Sequence, residues 1–247
     1  MNFARCDVTL LEELNFNAWP ALATVHFDGW LLRSSGGESR RVNSVNPLTA
    51  GRLGLDQKIA SAESTYRRWG RPTVFRMTPL ADDGLDEALA ARGYAIAAPT
   101  FVQTAPLAPL IAGDGVRVFA RPQRAWIDAA IGLRGLGGEA ADVFARQHGA
   151  VGIEARWALV LREGLPAAVG VVAIERGWAG LHGIYVASSA RRHGLGRQIS
   201  HALMGHGQQL GAHRAWLQVE QRNAPALRLY QRLGFTTAYG YHHRIIP

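Results

Sequence analysis

The stretch Arg191-Arg192-His193-Gly194-Leu195-Gly196 governs how this 247-residue chain is interpreted. It follows a β-rich run, Trp178–Val186, and opens an amphipathic helix that we predict from Gly194 to Gly211. A strand that turns through glycine into a helix leaves unpaired backbone N–H groups at the helix N-terminus, where the helix dipole adds partial positive charge. Such a turn suits a phosphate or pyrophosphate group.

The side chains of this turn favour the same interpretation. Gly194 and Gly196 would let the backbone come close to an anion, and Arg191 and Arg192 would neutralise its charge. The general pattern of this turn is (Arg or Gln)-x-x-Gly-x-(Gly or Ala). About one match to that pattern is expected by chance in a chain of this composition. Its weight therefore depends on the segments around it.

The composition is that of an ordinary globular protein. Hydrophobic residues make up 48% of the chain, which also holds 28 Gly and 11 Pro. The single cysteine, Cys6, excludes a disulfide framework and favours a reducing compartment. No apolar run approaches the length of a membrane span, and the N-terminus has no signal-like pattern. We expect a soluble cytoplasmic protein without a membrane partner.

The net charge of +8 raises the hypothesis of a nucleic-acid-binding protein. Only Lys58 among the 27 basic residues is a lysine, and the arginines are scattered in ones and twos. No basic block, finger spacing or RNA-binding signature is present. An arginine-rich surface, part of which binds an anionic ligand, is the favoured interpretation, so no nucleic acid is expected as a partner.

Clustered prolines and glycines between Pro106 and Gly115 are the best boundary candidate, and we predict two parts, residues 1–110 and 111–247. In the first part the patterns predict strands at Val25–Ser34, Arg41–Asn46, Thr73–Thr78 and Ala95–Gln103, and helices at Leu55–Trp69 and Asp82–Arg92. In the second part they predict strands at Val116–Ala120, Arg156–Arg162, Ala167–Glu175, Trp178–Ala187, Arg214–Glu220 and Phe235–Ile246, with helices at Arg124–Leu133, Glu139–His148, Gly194–Gly211 and Ala224–Leu233.

Short glycine turns connect the middle strands of the second part, so an antiparallel meander is expected. The helix after Val186 must cross over to reach the strand Arg214–Glu220, which makes that strand pair parallel. The predicted fold class is therefore α+β, a mixed, mostly antiparallel sheet with flanking helices in which one strand pair can splay.

Two segments of the second part resemble the GCN5-related N-acetyltransferases, the GNAT superfamily. The first is Val186-x-x-x-x-Arg191-x-x-Gly194-x-Gly196, which is similar to the superfamily's acetyl-CoA pyrophosphate loop. The second is Asn223-x-x-Ala226-x-x-Leu229-Tyr230-x-x-x-Gly234-Phe235, which is similar to its later strand–helix signature. They occur in the superfamily's order and separation, and the resemblance covers about residues 115–247.

The first part resembles, more weakly, the amino-terminal portion of two-part bacterial acetyltransferases, including N-acetylglutamate synthase-like proteins. Phe27–Arg33 and Arg41–Val45 carry that resemblance. The segment that ends at Gly93 has the same order as the one that ends at Gly234, a strand and a helix followed by glycine and a further strand. This similarity suggests a decayed internal repeat, although helix–glycine–strand joints are common. The resemblance implies a degenerate GNAT-like half. This half would not bind CoA, because Gly51–Gly54 occupies the position of the phosphate loop but lacks that loop's signature.

The resemblance implies acetyl-CoA as co-substrate, with its pyrophosphate on the backbone amides from Arg192 to Arg197 and its pantetheine arm along the strand Ile184–Val186. A main-chain N–H near Ile184 would polarise the thioester carbonyl. The residues so assigned to the acetyl-CoA site are Ile184, Tyr185, Val186, Arg191, Arg192, His193, Gly194, Leu195, Gly196, Arg197, Asn223 and Tyr230. Asn223 would contact the CoA arm, cap the following helix, or do both.

Tyr230 and Glu220 are the candidate catalytic residues. By resemblance Tyr230 protonates the leaving thiolate; the alternative is a core aromatic residue. Glu220 ends the strand at the predicted splay and would take the amine proton, or it is an exposed strand-end charge. His182 is a second candidate base. No cluster has metal-ligand spacing, so no metal is expected.

Three functions follow, in order of preference. The first is an acetyl-CoA-dependent N-acetyltransferase that acts on a primary amine, namely a small molecule, an amino acid or a protein N-terminus. Arg33 and Arg41 would bind an acidic acceptor, or they are surface residues. The second is a CoA or phosphate-ligand sensor without catalysis, and the third is a basic nucleic-acid-binding protein. A homodimer is compatible with each.

Overall fold

The computed structural model describes residues 5–37, 39–107 and 115–246. Within these ranges the first part holds α1 (Arg5–Ala18), β1 (Ala23–Phe27), β2 (Trp30–Ser34), β3 (Ser44–Pro47), α2 (Leu55–Arg68), β4 (Val74–Met77), α3 (Leu85–Ala91) and β5 (Ala95–Pro106). The second part holds β6 (Val116–Phe119), α4 (Arg124–Arg134), α5 (Gly138–Gly149), β7 (Glu154–Arg162), β8 (Leu165–Glu175), β9 (Trp178–Val186), α6 (Leu195–Gln209), β10 (Arg214–Glu220), α7 (Ala224–Arg232) and β11 (Thr236–Ile245).

The eleven strands of the described residues form one sheet in the order β1-β2-β3-β4-β11-β5-β10-β9-β8-β7-β6. Strands β6 to β9 form the predicted antiparallel meander. The crossover through α6 makes β9 and β10 parallel, as predicted, and β3 and β4 are also parallel. The remaining neighbours are antiparallel, so the mixed, mostly antiparallel α+β fold is confirmed.

The last strand, β11, lies between two strands of the first part. Ile245 pairs with Val74 of β4, and Thr236 pairs with Thr104 of β5. Strand β5 pairs in turn with β10 along Pro106–Thr100. The sheet is therefore continuous between the two parts, while the predicted boundary at 110/111 lies outside the described residues.

Helices cover both faces of the second part's sheet. Alternate residues of β8 point to opposite sides, so Ala168 and Val172 pack with Leu203 of α6, whereas Val169 and Val171 pack with α4 and α5. Small residues let α6 come close to the sheet. A Cβ added at Gly207 would lie 2.7 Å from the Ala179 Cβ atom. This close packing fixes the N-terminus of α6 beside the end of β9.

One predicted strand and one predicted helix start were wrong. The run Val25–Ser34 is a hairpin, because Asp28 and Gly29 have φ of 44° and 84° and turn the chain between β1 and β2. The second helix begins at Leu85 rather than Asp82. Asp82 does not cap it; its carboxylate accepts hydrogen bonds from Lys58 Nζ at 2.8 Å and from the Trp30 indole at 3.0 Å.

Helix α1 was not predicted, because two polar residues interrupt its apolar face. Glu12 and Asn15 are each 1% exposed, in line with the buried Leu11 and Leu14. Glu12 is held there by an ion pair with both guanidinium nitrogens of Arg76 on β4. A sequence pattern cannot show that a carboxylate has such a partner.

Candidate active site

The candidate site begins where β9 and β10 separate. Their parallel pairing runs only from Trp178–Arg214 to Leu181–Leu217. Beyond that point β10 stays with β5 as far as Glu220, and β9 stays with β8 as far as Val186. The predicted splay therefore exists. It opens into a cavity of about 590 Å³, which we call the cleft, lined by parts of β9, β10 and α7.

A β-bulge shapes the β9 wall of the cleft. Val169 of β8 pairs with Tyr185 and Val171 pairs with His182, so β9 carries one residue more than β8 over this stretch. Gly183 adopts a φ of 57° within the bulge, and Gly183 and Ile184 line the cleft. The irregular backbone lies where the thioester carbonyl was predicted to bind.

The turn after β9 carries backbone amides without protein partners. A 3₁₀ turn at Ser188–Ala190 leads to Arg192 and Gly194, whose φ values are 65° and 76°. The first intrahelical bond of α6 runs from the Gln198 amide to the Gly194 carbonyl at 3.0 Å. Among the described residues, the amides of Arg192–Arg197 have no protein acceptor. They suit an anion at the positive end of the helix dipole.

The side chains around this turn have different roles. Arg191, Arg192, His193 and Arg197 are exposed. The Arg191 guanidinium donates to the Val186 carbonyl at 3.4 Å, and His193 Nδ1 lies 2.9 Å from the Arg191 carbonyl. Arg197 donates to the ring of His201 at 3.3 Å, so it is partly engaged within its own helix.

Three of the predicted cofactor-binding residues also have a packing role. Leu195 is buried in the core beneath α6. A Cβ at Gly196 would lie 3.2 Å from the Leu229 side chain, so glycine allows α7 to approach α6. Tyr185 packs against the core of α4 and α5. These contacts place α7 next to the turn.

Tyr230 lines the cleft from α7. Its side chain is 9% exposed and packs edge-on against Phe235 with 5.8 Å between the ring centroids. No hydrogen-bond partner of its hydroxyl is found among the described residues. Burial raises the pKa of Tyr230 to about 12, so it is protonated at neutral pH with its proton free to donate. Asn223 caps α7, accepting from the Ala226 amide at 3.2 Å, and also lines the cleft.

Glu220 lies at the end of β10, between the cleft and a second cavity. Its carboxylate is 41% exposed and accepts a hydrogen bond from Arg222 Nε at 2.6 Å. This position leaves it accessible to a bound molecule. Glu220 and Tyr230 thus line the same cleft.

His182 is a poor candidate base. It is 3% exposed, lies between Trp19 and Trp216, and has no hydrogen-bond partner for either ring nitrogen among the described residues. Burial, with the charge of Arg41 and His148, lowers its pKa to about 3. A base that weak takes little part in deprotonating an ammonium group at neutral pH.

The second cavity, of about 400 Å³, adjoins the cleft, and we call it the side pocket. Both cavities are lined by Arg41, Arg134, Gln218 and Glu220. The first part contributes Trp19, Arg40 and Thr100, and the second part contributes Phe144 and Gln147. Arg134, Phe144 and Gln147 were missed in the sequence because nothing in α4 and α5 distinguishes a residue facing a pocket from one packed elsewhere.

Arg33, a candidate acceptor ligand from sequence, has a structural role instead. It is 2% exposed, and its guanidinium donates to the carbonyls of Trp19 at 2.5 Å and Arg41 at 3.0 Å. Arg33 thereby holds the segment that carries Arg41 at the side pocket.

In the part of the chain that the structure describes, no cluster of three or more His, Cys, Asp or Glu could hold a metal ion. No described helix is long and apolar enough to span a membrane.

Comparison with known proteins places this geometry in a family. The family described as "Probable histone acetyltransferase Rv0428c C-terminal" matches residues 6–245. The chain is 31% identical to the uncharacterized N-acetyltransferase YobR of Bacillus subtilis over 252 residues, covering 97% of this chain and 98% of that protein.

Solved structures show the same fold at lower identity. A GCN5-related N-acetyltransferase from Kribbella flavida superposes with a TM-score of 0.70 at 17% identity, over 100% of this chain and 96% of that one. A tandem GNAT protein from the clavulanic acid biosynthesis pathway superposes with a TM-score of 0.65, also at 17% identity, over 100% and 90%.

Proposed function

The chain belongs to the GCN5-related N-acetyltransferase superfamily and is an acetyltransferase, and on that premise we propose that it transfers an acetyl group from acetyl-CoA directly to a primary amine. The observation that carries the proposal is the separation of β9 and β10 into a cleft lined by Tyr230 and Glu220. The free amides of Arg192–Arg197 follow the end of β9. The groups that bind the acetyl donor therefore lie next to the groups that transfer protons.

The donor end of the site is built mainly from backbone. The amides of Arg192–Arg197 hold the pyrophosphate, and Arg191 and Arg192 supply positive charge. The free edge of β9 at Ile184–Val186 accepts the pantetheine arm as an added strand would pair. The bulge at Gly183 offers a main-chain N–H to the thioester carbonyl, where negative charge develops in the transition state.

Proton transfer belongs to two side chains. Glu220 takes a proton from the ammonium group, directly or through water, so that the amine nitrogen bonds to the acetyl carbon. As the carbon–sulfur bond breaks, Tyr230 gives its proton to the thiolate and takes up the second proton that the nitrogen releases, so the products are the amide, the thiol and a neutral phenol. Because the pKa of Tyr230 is about 12 and that of a thiol is about 8.5, the transfer is unfavourable unless the phenol is reprotonated in the same step.

The energetic consequence is that Tyr230 acts as a hydrogen-bond donor until the sulfur becomes negative. A phenol of this pKa stays protonated through the neutral range, and burial disfavours the phenolate that a transfer without reprotonation would leave. Because burial keeps the phenol protonated, it favours hydrogen-bond donation from Tyr230 to the developing thiolate.

The division into two parts belongs to the same proposal. We infer that residues 1–110 are a degenerate GNAT-like half without a CoA site and that residues 111–247 hold the single catalytic site. The first part supplies Trp19, Arg40 and Arg41 to the side pocket. A tandem arrangement is named for one of the structures that superpose on the whole chain.

An acetyl-CoA turnover screen tests the proposed function. Free thiol would be measured with amino acids, polyamines, small amines and peptides as acceptors, and acetyl-CoA binding would be measured separately. Amine-dependent thiol release is the expected result. Acetyl-CoA binding without turnover on any amine would contradict the proposal and favour a CoA-sensing module.

A further inference from the structure

We propose that the acceptor is a small amine that also carries an anionic group, a carboxylate or a phosphate, and that the side pocket binds this group. The inference rests on the proposed function, because it assigns the acceptor of the same site. It concerns the half of the reaction that the acetyl-CoA-binding turn does not determine.

The first argument is charge. Three guanidinium groups line the side pocket, those of Arg40, Arg41 and Arg134, whereas Glu220 is the only carboxylate among its described lining residues. None of the three arginines forms an ion pair with a carboxylate of the described residues. Eight other described arginines do form ion pairs, as Arg76 does with Glu12 and Arg244 with Asp86. The side pocket thus holds three guanidinium groups that no carboxylate of the described residues neutralises.

Two of these cations, Arg41 and Arg134, also repel each other. Desolvation and the charge of Arg41 lower the pKa of the Arg134 guanidinium. Arg41 lies over the Trp19 ring and Arg134 over the Phe144 ring, each 5.5 Å from the ring centroid, so aromatic side chains rather than carboxylates hold the cations in place. An anion between them would relieve this repulsion and accept their hydrogen bonds.

The second argument is an excess of neutral donors. Four lining residues carry buried nitrogens without a partner among the described residues, namely Trp19 Nε1, Gln147 Nε2, Gln218 Nε2 and both ring nitrogens of His243. The indole N–H can only donate. The Gln218 amide oxygen accepts from the Tyr241 hydroxyl at 2.8 Å, which leaves its Nε2 group to donate. Donors of this kind match the oxygen atoms of a carboxylate or phosphate.

The third argument is position. Glu220 borders both cavities, so an amine beside Glu220 faces the cleft and the acetyl group. The rest of the same molecule then extends toward Arg41 and Arg134. A cavity of about 400 Å³ lies within the usual range for small-molecule sites. The pocket therefore favours a small zwitterionic acceptor over a lysine-rich peptide, whose charges the arginines would repel.

Matched pairs of acceptors test the inference in the full-length protein. An amino acid would be compared with its decarboxylated amine, as phenylalanine with phenethylamine, and phosphoethanolamine with ethanolamine; a lysine-rich peptide would be the third arm. We expect kcat/KM at least tenfold higher for the anionic member of one or both pairs, and the pair that responds identifies the anion.

Equal or faster turnover of the amines that lack an anionic group, or of the peptide, would overturn the inference while leaving the proposed acetyl transfer intact. Absence of thiol release with every amine would overturn both. The two failures are therefore distinguishable in one screen.

Charge removal at the pocket provides an independent test. Arg41→Gln and Arg134→Gln should each raise the KM for the anionic acceptor about tenfold or more, with the KM for acetyl-CoA unchanged, and Arg134→Lys should recover part of the loss. Arg162→Gln, at an exposed residue that lines neither cavity, is the matched control. An unchanged acceptor KM in both glutamine variants would contradict the inference, and thermal unfolding would verify their folding.

Discussion

At the scale of single residues, the site depends on polar groups that have no hydrogen-bond partner among the described residues. The Tyr230 hydroxyl has no partner among the described residues, while its ring packs against Phe235. Asn223, by contrast, is engaged as the cap of α7. Its sequence signature therefore has a structural reason that holds whether or not it also contacts CoA.

Tyr230→Phe separates the chemical role of Tyr230 from its packing role. We expect kcat for acetyl transfer to fall about a hundredfold or more, since a positioned general acid contributes about 10²–10⁴. The midpoint of thermal unfolding should change little, because the hydroxyl forms no bond that the variant would lose. Steady-state kinetics with acetyl-CoA and an active acceptor measure the effect, and Tyr66→Phe is the control for loss of a tyrosine hydroxyl.

The control differs in a known way. Tyr66 is fully buried, its hydroxyl donates to the Arg33 carbonyl at 2.7 Å, and it lines neither cavity. Tyr66→Phe should lower stability and leave kcat unchanged. If Tyr230→Phe retained the full kcat, the assignment of Tyr230 as leaving-group acid would be wrong.

At the scale of secondary-structure elements, the two ends of α6 have the same backbone requirement but different surroundings. Gly194 precedes the helix with a φ of 76°, and Gly211 follows it with a φ of 89°. Neither glycine has a neighbouring atom within 4 Å of an added Cβ. A difference in effect between substitutions at these two glycines therefore reflects the surroundings of the two ends of α6.

Gly194→Ala and Gly211→Ala should each destabilise the protein by about 1–2 kcal/mol, the cost of a left-handed backbone with a Cβ. Only Gly194→Ala should raise the KM or Kd for acetyl-CoA, because only that turn presents free amides. Chemical denaturation and calorimetric titration with acetyl-CoA measure the two effects. Equal acetyl-CoA affinity in both variants would argue against the turn as the pyrophosphate site.

The elements show which parts of the fold a sequence can predict. The meander β6–β9 and the crossover through α6 follow from local patterns and short connections, and the structure confirms both. The position of β11 between β4 and β5 depends on long-range pairing, which no local pattern specifies. Helix α1 was missed because Glu12 is buried with a partner 64 residues away.

The candidate site divides in the same way. The turn and Tyr230 belong to contiguous motifs that resemble a known family, so the sequence predicts them. Arg134 and Gln147 reach the side pocket from two separate helices, and Arg41 reaches it from the other part of the chain. Only the folded sheet brings these residues together, so the sequence named Arg41 as a possible acceptor ligand but could not name Arg134 or Gln147.

At the scale of the whole molecule, three buried histidines link stability to pH. His148, His182 and His243 are 2–3% exposed, and burial lowers the pKa of each to about 3. In the unfolded chain their pKa is about 6.5. Between these values the unfolded state binds more protons than the folded state, so the free energy of unfolding rises with pH.

We therefore expect stability to fall steadily as the pH decreases from about 6.5, by up to about 1.4 kcal/mol per pH unit for each histidine. Urea denaturation at a series of pH values measures the slope. Substitution of His148 by Phe should reduce it, whereas His193→Gln, at the exposed turn, should not. A stability independent of pH between 5 and 6.5 would contradict the neutral state of these histidines.

The measurement that tests the account most directly is amide hydrogen exchange of the full chain with and without acetyl-CoA. We predict that acetyl-CoA slows exchange at Arg192–Arg197 and at Ile184–Val186, on either side of the turn, and leaves Gly51–Gly54 unaffected. Protection at Gly51–Gly54, or no protection at Arg192–Arg197 under saturating acetyl-CoA, would contradict a single donor site at the cleft between β9 and β10.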